Sequence, residues 1–150
     1  MRLLKKLLTL LAVAAGPAIA SAQTTTPTVR LTAGIHLITA EVAASDPARS
    51  RGLMFRESLP ANHGMLFIFD TKSVHCMWMR NTLIPLSVAF IEDDGTIVNI
   101  LDMQPHDDRN RHCAGRPVRY ALEMTQGWFA TKGIAPGARL GGLPTVRQQK

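Results

Sequence analysis

The sequence predicts an α+β domain, mostly β: a compact, barrel-like sheet of antiparallel and mixed strands with two short helices. Three observations predict it. Short apolar or β-branched runs recur along the chain, at 37–42, 65–69, 86–91, 97–101 and 118–124, each of strand length. An Asp94-Gly95 pair separates two of them and is the strongest hairpin signal present. Only two stretches, 45–54 and 127–132, carry helix signals, and both are short. Many short strands with few helices give an α+β class, and closure into a full or partial barrel removes exposed strand edges.

Residues 1–22 read as a secretory signal peptide rather than as part of the fold. Arg2, Lys5 and Lys6 make a cationic start, an apolar run of ten residues follows at 7–16, and Ala18-Ile19-Ala20 and Ala20-Ser21-Ala22 offer small-x-small cleavage sites. That run is too short to span a bilayer, and the expected location after cleavage is exported, periplasmic or secreted. Residues 23–28 (Q-T-T-T-P-T) read as a flexible tail, 29–142 as one globular domain, and 143–150 as a disordered tail. No internal repeat or low-complexity block interrupts the domain.

Within it, 29–31 and 35–42 are expected strands, with Gly34 as the break between them. Ser45-Asp46-Pro47 starts a helix, a capping side chain followed by proline near the first helical position. It should end near Gly52 or Met54. Residues 59–64 (L-P-A-N-H-G) form a turn region. The runs 65–69 and 74–79 are expected to pair as a hairpin about Asp70-Thr71-Lys72-Ser73. A second hairpin turns at 92–96, a long polar loop with His106, His112 and Cys113 covers 104–117, and 118–124 is a further strand. A short helix at 127–132 is stopped by Gly133, and 138–140 offers a last strand.

Charge excludes one class of function. The chain has 17 basic and 11 acidic residues. Loss of the leader leaves 14 basic residues and a net charge of +3. With no Lys/Arg cluster, that is ordinary surface and no nucleic-acid footprint. No second apolar stretch is long enough for a membrane helix. A monomer is expected. Two cysteines, Cys76 and Cys113, survive cleavage, and in an oxidising compartment an even count favours a disulfide. Two free thiols or a metal pair are the alternatives.

Four segments together resemble one family: Arg51-Gly52-Leu53-Met54-Phe55-Arg56; Gly64-Met65-Leu66-Phe67; Trp78-Met79-Arg80-Asn81-Thr82 with Ile84-Pro85-Leu86; and Tyr120-Ala121-Leu122-Glu123 with Gly127. In this wording the chain resembles the family known as domain of unknown function 192, from about residue 41 to residue 140. The resemblance implies a small, β-rich, exported domain and names no reaction, cofactor or catalytic residue. The family usually carries Lys at the position of Arg80 and Asp at the position of Ser87. Any role of that carboxylate would be missing here.

The candidate site is the corner where the apolar run 76–79 stops at Arg80-Asn81-Thr82. Three polar side chains at the end of a buried strand need partners, at about 1–3 kcal/mol for each group left unpaired. They either close the strand by bonding to nearby backbone, or line a pocket for a polar or anionic ligand with Arg80 as the anchor. Glu123 lies in an otherwise apolar strand and needs water or a cation, with Arg51 or Arg56 as its expected partner. Asp102 is the alternative carboxylate for the same clamp. The expected ligand-binding set is therefore Arg80, Asn81, Thr82, Arg51 and Glu123, serving a small polar ligand or an envelope protein partner.

Other chemistries have thinner support. His75, Met77 and Met79 alternate on one strand face and resemble soft copper ligands, with Met65 or Met103 as further donors, but methionines on a strand usually fill core. Cys76, Cys113, His75 and His112 would make an unusually spaced zinc set. No cofactor is expected. Asp93-Asp94 and Asp107-Asp108 read as turn residues. G-x-S-x-G, H-E-x-x-H and a phosphate-cradling glycine loop are absent from the sequence. An enzyme, as an envelope hydrolase, would need a carboxylate centre or a Cys–His pair drawn from Cys113 and His112 or His106.

Overall fold

The computed structural model describes residues 26–145. In chain order these form β1 (Thr28–Ala33), β2 (His36–Ala43), α1 (Asp46–Arg51), β3 (His63–Ser73), β4 (Cys76–Met77), β5 (Leu86–Ile91), β6 (Ile97–Met103), β7 (His112–Cys113), β8 (Val118–Thr125), α2 (Trp128–Thr131) and β9 (Leu140–Gly141). Seven strands make one sheet in the order β6-β5-β8-β3-β2-β1-β9, and β4 and β7 form a separate two-stranded ribbon. The α+β, mostly β expectation therefore holds. The leader 1–22, residues 23–25 and the end of the chain from 146 lie outside the described residues.

The sheet curls until its two ends meet. Beside β9, Arg139 bridges to Thr96 at the start of β6. The amides of Ile97, Gly137 and Leu140 donate to the carbonyls of Ala138, Ile97 and Gly95. These bonds join one end of the strand order to the other and leave less edge exposed. Gly95, at φ 89°, occupies the expected Asp-Gly turn between β5 and β6. A Cβ there would run into the Leu140 carbonyl, so the turn glycine also admits the closing segment.

Two connections cross the outer face of the sheet, for a topological reason. β2 and β3 are parallel neighbours, and parallel neighbours need a crossover. Residues 44–62 supply it, carrying α1. β3 and β5 both run antiparallel to β8, which lies between them, so residues 74–85 must pass over β8. The expected 65–69/74–79 hairpin does not form. Instead β3 runs on through Ser73, with a bulge after Ile68, because β8 and β2 offer it partners on both sides. β4 pairs with β7 instead, with Cys76 opposite Cys113.

Strand alternation sorts the core into two clusters. Inside the curl, Leu66, Ile68, Ala89, Ile91, Tyr120 and Leu122 pack with Phe129 of α2. On the outer face, Met65, Phe67, Val88, Phe90 and Ala121 pack under the crossing connections, which contribute Leu53, Met77 and Met79. Leu143 also packs on the inner cluster, and the Tyr120 hydroxyl donates to the Pro144 carbonyl at 2.7 Å. Contacts thus run past the expected domain end at 142, and β1 begins at Thr28, inside the expected N-terminal tail.

Arg49 pins α1 to the sheet. Its guanidinium donates to the Ala44 and Ile68 carbonyls and to the Asp46 and Asp70 carboxylates. Partial burial alone would lower its pKa, but the two carboxylates outweigh that and raise it. Ser45 caps the helix, accepting from the Ala48 amide.

The Cys76–Cys113 disulfide, separated by 37 positions in sequence, ties the connection over β8 to the 104–117 connection. Cys76→Ser/Cys113→Ser should lower the unfolding free energy by about 3–4 kcal/mol in the chain-entropy account, read by denaturant unfolding. Wild type in reductant should match it. Gly64 is packed so closely on β8 that a Cβ would overlap the Glu123 carbonyl and the Met124 Sδ. Gly64→Ala should therefore destabilise by about 1–3 kcal/mol, or leave the chain unfolded in the same assay.

Candidate functional site

The two crossing connections meet over β8 and leave a narrow cleft of about 20 Å3. Its lining includes Arg51 and Leu53 from the first connection, Trp78, Arg80 and Thr82 from the second, and Glu123 from β8. Four of the five expected ligand-binding residues, Arg51, Arg80, Thr82 and Glu123, thus share one cleft. The fifth, Asn81, is not in its lining.

Asn81 has a backbone role instead. It adopts φ 53°, and its carbonyl accepts from the amide of Phe55, which itself sits at φ 63°. A left-handed conformation is one that Asn tolerates better than most residues and an outlier for a residue as bulky as Phe. Such strain persists only where the surroundings over-determine it. Here one hydrogen bond locks two strained residues together across the lip of the cleft. Phe55 remains 61% exposed, so burial does not account for its conformation. Thr82 is buried and turned onto its own turn segment: its Oγ1 donates to the Arg80 carbonyl at 3.2 Å, and its carbonyl accepts from the His106 amide. The Thr82 side chain thus bonds to nearby backbone, whereas Asn81 contributes its carbonyl, and both lie beyond the end of β4 at Met77.

Glu123 is the unusual group. It is 4% exposed, opposite Met65 on one side and Val88 on the other. Among the described residues it forms no hydrogen bond and no ion pair. The clamp expected with Arg51 or Arg56 is not made. Arg56 pairs with Glu41 at 2.6 Å. Arg119, four positions from Glu123 on the same face of β8, is taken by the Asp70 carbonyl and the Asp93 carboxylate. Asp102 is equally unclamped by arginine and accepts from the Ser87 hydroxyl instead. With no cation in contact, burial pushes the Glu123 carboxyl up to about 8. A strongly raised carboxyl in a cleft marks a functional-site candidate.

The lip is cationic and aromatic. Arg51 and Arg80 are exposed and form no ion pair among the described residues. The Arg80 Cζ lies 5.6 Å from the Trp78 ring centroid, and the Arg111 Cζ lies 5.0 Å from it, within cation–π range. Arg111 and Phe55 were not singled out from sequence. Arg111 arrives from the 104–117 loop, which the β4–β7 ribbon, the disulfide and the His106–Thr82 and Met79–Asp107 backbone bonds hold here.

The remaining candidates sort differently. Met77 and Met79 are buried in the outer cluster. His75 stacks on Phe69, ring centroids 3.7 Å apart, and its Nε2 donates to the Thr71 carbonyl. Each soft donor of the copper set therefore has packing of its own, and among the described residues no group of three His, Cys, Asp or Glu side chains gathers for a metal. The expected Cys76–Cys113 disulfide forms and removes two alternatives. It consumes the Cys113 thiol that a Cys–His centre needs, and both thiolates of the zinc set.

Three variants test these assignments. The folded Glu123 carboxyl holds its proton to about pH 8, whereas unfolded it releases it near 4.5. Its contribution is therefore complete below about pH 4.5 and lost as pH rises to 8. Relative to Glu123→Gln, wild type should lose stability across that window, by up to about 1.4 kcal/mol per pH unit. Parallel curves in urea unfolding across that window would rule out a proton-holding Glu123. Asn81→Gly should be nearly neutral in the same assay, whereas Asn81→Ala should cost about 1 kcal/mol through its left-handed backbone.

Comparison with known proteins agrees with this architecture. No curated protein matches the chain. A solved structure from Sinorhizobium meliloti 1021, described as a candidate transcription regulator, is 39% identical, with a TM-score of 0.71 over 77% of this chain and 92% of that one. A protein of unknown function from Novosphingobium aromaticivorans DSM 12444 is 32% identical, with a TM-score of 0.74 over 85% of this chain and 93% of that one. The family model DUF192, Uncharacterized ACR, matches residues 28–142. The chain belongs to the DUF192 family.

Proposed function

We propose that the protein is an extracytoplasmic binding domain that takes the anionic group of a small polar ligand in the cleft of Arg51, Arg80, Thr82 and Glu123. One observation carries this: two guanidinia that have no ion partner among the described residues line the same cleft as a buried carboxyl that also has none among them. Guanidinium forks bind carboxylate or phosphate in two-point fashion. Protonated Glu123 donates a hydrogen bond to such a group, whereas ionised Glu123 repels it. The space admits about one water-sized group, so a single oxygen reaches the floor and the ligand body lies outside, against Trp78. Export is supported by the disulfide, a bond that persists in oxidising compartments, and by the leader-like character of residues 1–22.

A second reading, an envelope hydrolase with a carboxylate centre, is favoured by one fact. A carboxyl held protonated at neutral pH suits a general acid. In that case Glu123→Gln would abolish turnover while leaving binding intact.

The experiment follows Trp78 fluorescence in a Trp128→Phe background during titration with sodium phosphate and with glucuronate. A saturable change is expected at pH 6.5 with at least one of them. Arg80→Ala or Arg51→Ala should weaken it about tenfold or more, the scale of one charge-assisted contact. Raising the pH past 8 should weaken wild type but not Glu123→Gln. No saturable change with either anion, or one indifferent to both arginines, would overturn the binding assignment.

A further inference from the structure

We infer that the protein has a second small-molecule site on the opposite face of the sheet, one that takes an apolar body bearing a single cationic head such as an alkylammonium. Ser87 pairs with Met124 on β8 and with Asp102 on β6, which places it on the inner face, away from Glu123. Between it and α2 lies a cavity of about 550 Å3, within the range of small-molecule pockets. Its walls include Ile100, Phe129, Ile134 and Pro136, and its polar groups include Ser87 and Asp102.

The polar end is built rather than incidental. Ser87 is 1% exposed. Its hydroxyl donates to Asp102 Oδ1 at 2.5 Å and accepts from the Gly127 amide at 2.9 Å. Both hydrogen-bonding roles of the hydroxyl are filled, which fixes the Asp102 carboxylate at the cavity rim and holds the turn before α2 against the sheet. Asp102 forms no ion pair among the described residues, and it is the only ionisable side chain lining the cavity. A lone carboxylate over apolar walls selects a ligand by charge complementarity: the head must be positive and the body apolar. An anionic head would meet Asp102 with no compensating cation. The site therefore differs in sign from the arginine-lined cleft and does not depend on it.

The test uses hexylamine, hexanol and hexanoate at pH 7 with the oxidised chain, read by the methyl signals of Ile100 and Ile134 in NMR titrations. The ammonium should bind most tightly, the alcohol more weakly, and the carboxylate weakest of all. Asp102→Asn keeps an acceptor for Ser87, so it should weaken the ammonium about tenfold and leave the alcohol unchanged. Ala130→Trp, which fills the cavity from α2, should abolish all three. Arg51→Ala/Arg80→Ala should change none of them, which separates this result from failure of the cleft. Binding of hexanoate as tight as that of hexylamine, indifference to Asp102→Asn, or no methyl shift with any probe would overturn the inference.

Discussion

Strand β8 is covered on both faces, and much of the architecture follows from that. β3 and β5 flank it in the same direction, so the chain between them must cross it. That crossing segment, together with the crossover from β2 to β3, roofs the outer face. The curl of the sheet encloses the inner face. Every β8 side chain from Val118 to Met124 is therefore buried. For Leu122 and Ala121 this is favourable burial. For Glu123 it imposes an uncompensated polar group, and the raised proton affinity is the direct expression of that conflict. A strand dry on both sides is also why the cleft is so small: it is a seam between two roofing segments.

The cover holds because its pieces are fastened at separate points. Arg49 ties the first connection to the Ile68 carbonyl and the Asp70 carboxylate. The disulfide joins the second connection to the loop carrying Arg111. The Phe55–Asn81 hydrogen bond joins the two connections across the lip. With these ties in place the arginines are held near Glu123 without touching it.

Much of this was legible in the sequence wherever local chemistry decides. The Asp94-Gly95 hairpin, the Ser45 cap, the stop at Gly133 and the β-branched strands 36–43 and 118–125 all follow from short-range rules. The 65–79 hairpin failed because pairing there is decided at long range: β3 reaches β8 across some fifty positions of sequence, and no turn residue encodes that choice. The site divides the same way. Arg80, Thr82, Arg51 and Glu123 were legible as polar residues in apolar surroundings. The missing ion pair was not, since whether Arg56 turns to Glu41 or to Glu123 depends on the crossover path. Ser87 was legible only as a departure from the family's usual Asp and Asp102 only as an alternative clamp carboxylate, until register set them side by side, and Arg111 is indistinguishable from the other arginines of its loop.

Residues 137–141 close the ring. The bonds that join β9 to β1 on one side and residues 137–140 to the β5–β6 turn on the other come from a segment near the C-terminus. Until that segment emerges from a ribosome or a translocation pore, the nascent polypeptide has two open strand margins and no means of sealing either. Completion of the fold thus waits for residues 137–141. A polypeptide truncated before residue 137 would keep both margins available for pairing with other chains.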